Sequence, residues 1–191
     1  MTDTERAELI ADLAREAYSE GDIVLSSGTR SSFYIDGKLA TYYPHTARRL
    51  GRAVWDMVKG EQIAGVGGLT LGSDAISIAV MFAALDDGEL LPAFSVRKEP
   101  KGHGKRKLIE GRVPEPGSRI AIVDDVVTSG KSILQAVRAV EDEGLTVAVV
   151  VPLVDREEGA AEKILDRGLK YRPFCTLTEI RAAYRGHHAH A

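Results

Sequence analysis

Two near-continuous apolar runs, RIAIVDD (119–125) and TVAVVVPLVD (146–155), leave few folds open to this chain. A strand wetted on one face alternates apolar and polar residues; strands this uniformly apolar must be covered on both faces, as in a parallel sheet flanked by helices. The segments around them alternate accordingly. IAGVGG (63–68) reads as a strand followed by the glycine-rich loop GGLTLGSD and a helix over 74–85, which makes a βα unit. LPAFSVRK (91–98) reads as a strand before a long polar insert, SILQAVRAVEDEG (132–144) as a helix with Gly144 at its C-terminal cap, and GAAEKILDRG (159–168) as one more helix. YRPFCTLTEI (171–180) is expected to be a last extended piece. Ahead of these, Leu9, Ile10, Leu13, Ala14 and Ala17 recur at helical spacing, with the helix starting around 4–7. Two short strands (23–25 and 33–35) joined by a Ser/Gly-rich turn follow, and then a helix over 47–58. The fold class is therefore α/β. At 191 residues the chain suits one well-buried domain rather than two.

The carboxyl end of the first apolar run carries the chemistry. IAIVDDVVTSGKS (120–132) ends like a phosphate-binding P-loop, but aligning Gly130, Lys131 and Ser132 with that motif puts its first glycine at Asp125, directly after Asp124. Two carboxylates there would repel a triphosphate. Thr128 to Ser132 offer amides, small hydroxyls and a glycine at a helix N-terminus, which suit a phosphate monoester. Asp124 and Asp125 would face the rest of the ligand, and carboxylates accept from ribose hydroxyls or hold hydrated magnesium. A phosphate beside a ribose describes a ribose 5-phosphate; an acidic strand end before an ordinary capped helix is the plainer alternative. In open α/β sheets such a strand-to-helix edge is where ligands settle.

The same stretch resembles the phosphoribosyl-diphosphate (PRPP) signature of the type I phosphoribosyltransferases: apolar strand, two acids, two aliphatics, then Thr, a small residue, Gly and a small hydroxyl residue. That family implies a parallel sheet flanked by helices with a small hood over its carboxyl edge, here about 1–42 plus 172–191 around a core of about 43–171.

VRKEPKGHGKRK (96–107) sets six cations, Arg97, Lys98, Lys101, Lys105, Arg106 and Lys107, against the single Glu99 in a chain of net charge −3. Lys105, Arg106 and Lys107 read as a solvated basic loop. Nucleic acid is disfavoured as a partner, because no aromatic stacking platform accompanies the charges. Gly102 and Gly104 would let Arg97, Lys98, Lys101 and His103 close over a leaving diphosphate. Residues 97–104 resemble the mobile catalytic loop of the orotate phosphoribosyltransferase family, Arg-Lys-Glu-x-Lys-x-His-Gly. SSGTRSSFYIDGK, GGLTLGSD and LVDREEG resemble its N-terminal substrate segment, its diphosphate loop and the strand end with its orotate-binding arginine.

The resemblance implies roles residue by residue. Arg97, Lys98, Lys101 and His103 would contact the diphosphate, with Lys101, His103 and Asp125 catalytic. Asp124, Asp125, Val126, Val127, Thr128, Ser129, Gly130, Lys131 and Ser132 would hold PRPP. Orotate would meet Thr128, Arg156, Phe33 and Tyr34, and Thr70, Leu71 and Gly72 would form the diphosphate loop. Magnesium would be held mainly by PRPP and water, with no direct protein ligand. The family's mobile loop reaches a neighbouring subunit, which implies a homodimer. The reaction would join an orotate nitrogen to ribose C1 as diphosphate departs, giving orotidine 5'-monophosphate for pyrimidine synthesis. Departures are Ser26, where many members carry lysine, and Thr70-Leu71-Gly72, where some relatives place Tyr-Lys-Gly; Gly67, Gly68 and Gly72 would bring backbone close to the ligand instead. A phosphoribosyltransferase for another base such as a purine, or a PRPP-sensing regulator without catalysis, are the alternatives. Arg156 argues against the first, because purines need no cation. The intact loop cations, and the lack of a DNA-binding segment ahead of the fold, argue against the second.

The remaining residues read plainly. Cys175 is expected to be a buried small hydrophobe, Trp55 a packing residue, His45 a loop residue, and His187, His188 and His190 part of a solvated tail. A polar N-terminus, one cysteine and no apolar run of spanning length imply a cytoplasmic protein.

Overall fold

A computed structural model describes residues 1–24, 28, 30–99 and 108–188, the side chain of His188 excepted. Six strands form the main sheet in the order β5-β4-β3-β6-β7-β8, and two more, β1 (Tyr18–Val24) and β2 (Arg30–Ile35), pair antiparallel in a separate ribbon. In the main sheet β3 (Val66–Leu69), β4 (Ala93–Val96), β6 (Arg119–Val127), β7 (Thr146–Asp155) and β8 (Cys175–Thr176) run parallel.

The parallel expectation holds with one correction at the edge. β5 (Ile109–Gly111) pairs antiparallel with β4, inside what reads from sequence as polar insert. Three residues bounded by glycine and charge leave too little alternation to be seen.

β6 alternates its side chains between two clusters, as a doubly covered strand must. Ala121 and Val123 pack with Leu50, Val54 and Val58 of α3 (Pro44–Val58) and with Ile76 and Val80 of α4 (Asp74–Asp86). Ile120 and Ile122 pack on the opposite face with Ile133, Val137 and Val140 of α5 (Lys131–Asp142) and Ile164 of α6 (Ala160–Leu165). The first cluster continues into Leu9 and Leu13 of α1 (Asp3–Ala17) and Ile180 of α7 (Leu177–His188), so the ribbon's helices share the sheet's core.

Four expectations shift. The first helix begins at once, because Thr2 and Glu5 form a capping box. A five-residue helix, α2 (Gly37–Thr41), capped by Asp36, follows β2. Pro44 occupies the first turn of α3, which brings His45 into the helix rather than a loop. The last extended piece is only Cys175–Thr176; the chain then turns into α7, which carries His187 and His188, and His190 lies outside the described residues. Cys175 is 1% exposed and Trp55 is buried in α3 with its indole N–H donating to Asp87, so both serve packing.

Candidate active site

The acid pair lies on a strand. β6 keeps its pairing with β7 through Val126↔Val154 and Val127↔Asp155, two residues beyond the point where the carboxylates mark its end in sequence. Asp124 and Asp125 are 5% and 8% exposed, held on paired backbone rather than on a loop. They floor a cleft of about 450 Å³ that is also lined by Thr70, Leu71 and Gly72, Lys98, Val126 and Ser132. Three sequence segments are thereby brought together as expected: the glycine-rich loop, the acid-bearing strand and the start of the basic insert.

Gly72 shows why the loop needs glycine: a Cβ there would stand 2.4 Å from Asp124 Oδ1 and 2.6 Å from Asp125 Oδ1. At Gly67 and Gly68 the crowding comes from the protein itself, Phe94 at 2.4 Å and the Val123 carbonyl at 2.1 Å, and both lie within β3. Close strand packing is thus enough to require glycine at both positions. The Thr70–Leu71 peptide bond is cis.

The two carboxylates are satisfied differently. Ser132 Oγ donates to Asp124 Oδ2 at 2.9 Å, and the Asp125 N–H donates to Asp124 Oδ1 at 3.1 Å. The Val126 N–H donates to Asp125 Oδ1 at 2.8 Å. Burial, and then the neighbouring charge of Asp125, pushes the Asp124 carboxyl well above the usual carboxylate range. Among the described residues, no group of three or more His, Cys, Asp or Glu side chains gathers as a metal cage.

Beyond Val127 the chain bends through Thr128 and Ser129 to Gly130, whose φ of 77° ends the turn and opens α5. No side chain caps this helix, so its first-turn amides have no side-chain acceptor and its positive dipole end lies at this turn. Lys163 from α6 donates to the Ser129 carbonyl at 3.1 Å and steadies the turn. Val127 itself is fully buried in the second core cluster and offers only backbone.

Arg156 follows β7. Its N–H donates to the Val127 carbonyl at 2.9 Å, which seats it beside the loop. Its guanidinium lies 5.0 Å from the Phe33 ring centre and pairs with Glu158 at 2.7 Å, while Nε is buried with no hydrogen-bond partner among the described residues. Arg181 on α7 also lies over this ring, 4.4 Å from its centre, with Nε donating to the Tyr18 hydroxyl. Phe33 is thus held by two guanidinium groups. Tyr34, its neighbour on β2, is 42% exposed.

Not every expected residue converges. Arg97 pairs with Glu110 at 3.7 Å and donates to the Glu99 carbonyl, along the β4–β5 edge rather than in the cleft. Ser26, Lys101 and His103 lie outside the described residues. Sequence reasoning passed over Lys38, which lines the cleft, and Arg181. Lys38 sits inside the quoted DGK, and Arg181 follows Leu177 and Ile180 at helical spacing, so each had a local signal but no sign of its spatial neighbours. A larger cavity, about 800 Å³, lies away from this chemistry between the outer surfaces of α3 and α4.

No family model matches the chain. It is 40% identical over 182 residues to the orotate phosphoribosyltransferase of Nostoc sp., covering 95% of this chain and 88% of that protein. The enzyme of that name from Aquifex aeolicus is 41% identical over 174 residues, covering 91% and 94%. Among solved structures, the Mycobacterium tuberculosis H37Rv orotate phosphoribosyltransferase in complex with Fe(III) dicitrate superposes with a TM-score of 0.83 at 39% identity, over 92% of this chain and 98% of that one. The same enzyme in complex with PRPP gives 0.78 at 37%, over 92% and 98%. Likeness of this degree, across nearly the full length of each partner, means that the chain belongs to the orotate phosphoribosyltransferase family.

Proposed function

We infer that the protein transfers ribose 5-phosphate from PRPP to orotate, giving orotidine 5'-monophosphate and diphosphate. One observation carries this reading: the carboxylates of β6 floor a cleft walled by the 70–72 loop, and the same strand leads through Thr128–Gly130 into an uncapped helix. A donor with a terminal phosphate, ribose hydroxyls and a diphosphate finds matching groups in that order. The relatives named above support the choice of orotate, as does Arg156, whose planar donors suit a carboxylate.

In the reaction a ring nitrogen of orotate forms the bond to C1 and gives up its proton to solvent, while the C1–oxygen bond to diphosphate breaks. Charge moves onto the diphosphate as C1 becomes cation-like. Asp125, buried at the sugar end, offsets that positive charge, and Lys98 with Lys101 and His103 of the basic insert would donate to the leaving group. No protein nucleophile takes part. Asp124 and Asp125 also fit the water shell of a hard divalent cation; magnesium, when bound, would neutralise charge on the departing diphosphate.

The reading extends to a homodimer. Ile78, Phe82 and Leu85 lie 49–57% exposed along one face of α4, with Leu39, Tyr42 and Tyr43 also exposed, a large apolar surface for a monomer. A second copy covering that face would bring the basic insert of one subunit to the other's cleft, as the family resemblance implies. The described residues contain no helix long and apolar enough to cross a membrane, and a cytoplasmic location completes the proposal.

The test is direct: PRPP and magnesium with orotate, hypoxanthine or uracil. Orotate absorbance is expected to fall and the other two bases to remain. Consumption of hypoxanthine or uracil instead, or of no base, overturns the reading.

A further inference from the structure

The ribbon returns to the main sheet through α2, and that return delivers a cation to the acid pair. Asp36 caps α2 by accepting from the Lys38 backbone N–H at 3.1 Å, which fixes where the Lys38 side chain departs. Gly37 lies flat against β6: a Cβ there would stand 2.7 Å from the Asp125 Cβ and 3.2 Å from the Val126 Cγ2. With nothing between the two elements, Lys38 Nζ reaches Asp36 Oδ1 at 2.6 Å and Asp125 Oδ2 at 3.6 Å.

An ammonium has three N–H donors. The ammonium sits at hydrogen-bond distance from Asp36 and forms a longer ion pair with Asp125, and the side chain lines the cleft beside Gly72, so donor capacity remains for whatever enters. Two buried acids in a cleft meant for phosphoryl groups present an electrostatic problem, and this lysine offsets half of it. Burial works against its charge, but the Asp36 hydrogen bond and the charge of Asp125 outweigh it and raise its pKa further. Because Asp36 already holds the side chain, little further ordering is needed when a ligand oxygen arrives.

We propose that Lys38 is a donor-binding residue of the transfer reaction: it forms an ion pair with Asp125 in the free protein and donates an N–H to an anionic oxygen of the diphosphate of PRPP. The proposal rests on the cleft being the PRPP site, as inferred above, and it assigns to the ribbon a cation that the basic insert does not supply.

Steady-state kinetics of the full chain, as wild type, Lys38→Met and Lys38→Arg, test it, together with calorimetric binding of inorganic diphosphate and magnesium. Loss of one charge-assisted hydrogen bond predicts a KM for PRPP and a Kd for diphosphate raised roughly tenfold to a hundredfold in Lys38→Met. The KM for orotate should stay within about twofold, since the lysine does not touch the base. Lys38→Arg, which keeps the charge, should recover most of the loss. An unchanged PRPP KM in Lys38→Met overturns the proposal, as does a parallel rise for both substrates accompanied by a lower Tm, which marks a packing role. Should Lys38→Met fail to fold, Lys38→Gln keeps the stem and polarity and is read by the same criteria. Wild-type protein inactive with orotate would sink the proposed function itself, whereas active wild type with an indifferent Lys38→Met sinks only this inference.

Discussion

Adjacent carboxylates on one strand cannot share a single environment, and these do not. Asp125 faces the ammonium of Lys38; Asp124 has the Ser132 hydroxyl and is pushed toward its neutral form by burial and by Asp125. A raised folded pKa has a definite sign in linkage: the stabilisation is complete below the unfolded carboxylate range and is lost as pH rises through the folded value. The protein without ligand should therefore lose stability from about pH 4 upward relative to Asp124→Asn, which cannot ionise. Urea midpoints between pH 5 and 8 read this, with the variant gaining over wild type as pH rises; a constant difference would refute it. On the reading proposed above, the same variant should also use PRPP less well, with a KM for PRPP raised roughly tenfold, because an amide replaces one carboxylate oxygen that can accept from a ribose hydroxyl. The acid pair was legible in sequence, since the Thr128–Ser132 turn that gives it meaning is a few positions away, whereas the contact with Gly72, some fifty residues earlier, was not. Lys38 and Arg181 were not, because a capped five-residue helix and a C-terminal helix had first to fold before either side chain met the site.

At the scale of elements, legibility followed length and uniformity. β6 and β7 declared themselves through continuous β-branched residues, and α5 through its period and Gly144, which takes up a φ of 78° just past the helix. The misread pieces are those whose form is imposed from outside: β5 exists because β4 offers an edge, and α7 because Ile180 has the α1 cluster to pack into. The close crossing of α3 and α4 gives an element-scale prediction. Gly51 sits where a Cβ would meet the Ala79 backbone carbonyl carbon and oxygen at 2.5 Å, so the two helices touch at backbone level. Alanine favours an isolated helix by about 1 kcal/mol, yet here overpacking should win. Gly51→Ala is expected to destabilise the fold by about 1–3 kcal/mol, measured by the shift of the denaturant midpoint at constant m. A variant as stable as wild type would mean that the helices separate freely.

For the molecule as a whole, the exposed apolar face of α4 carries the consequence. Phe82 is 57% exposed and lies beside the 800 Å³ cavity, so Phe82→Asp should leave each subunit folded while preventing pairing. Sedimentation is expected to show a dimer for wild type and a monomer for the variant, with turnover falling because the basic insert then has no neighbouring cleft to enter. A dimeric variant, or a fully active monomer, would contradict the shared-loop arrangement.

On the reading proposed above, the sugar end of the cleft would come from one uninterrupted stretch, β6 running into α5, and the base end from β2, the residues after β7 and α7. These ends are free to diverge at different tempos. A change to another nucleobase could then rework the patchwork and leave the grip on the pentose unaltered.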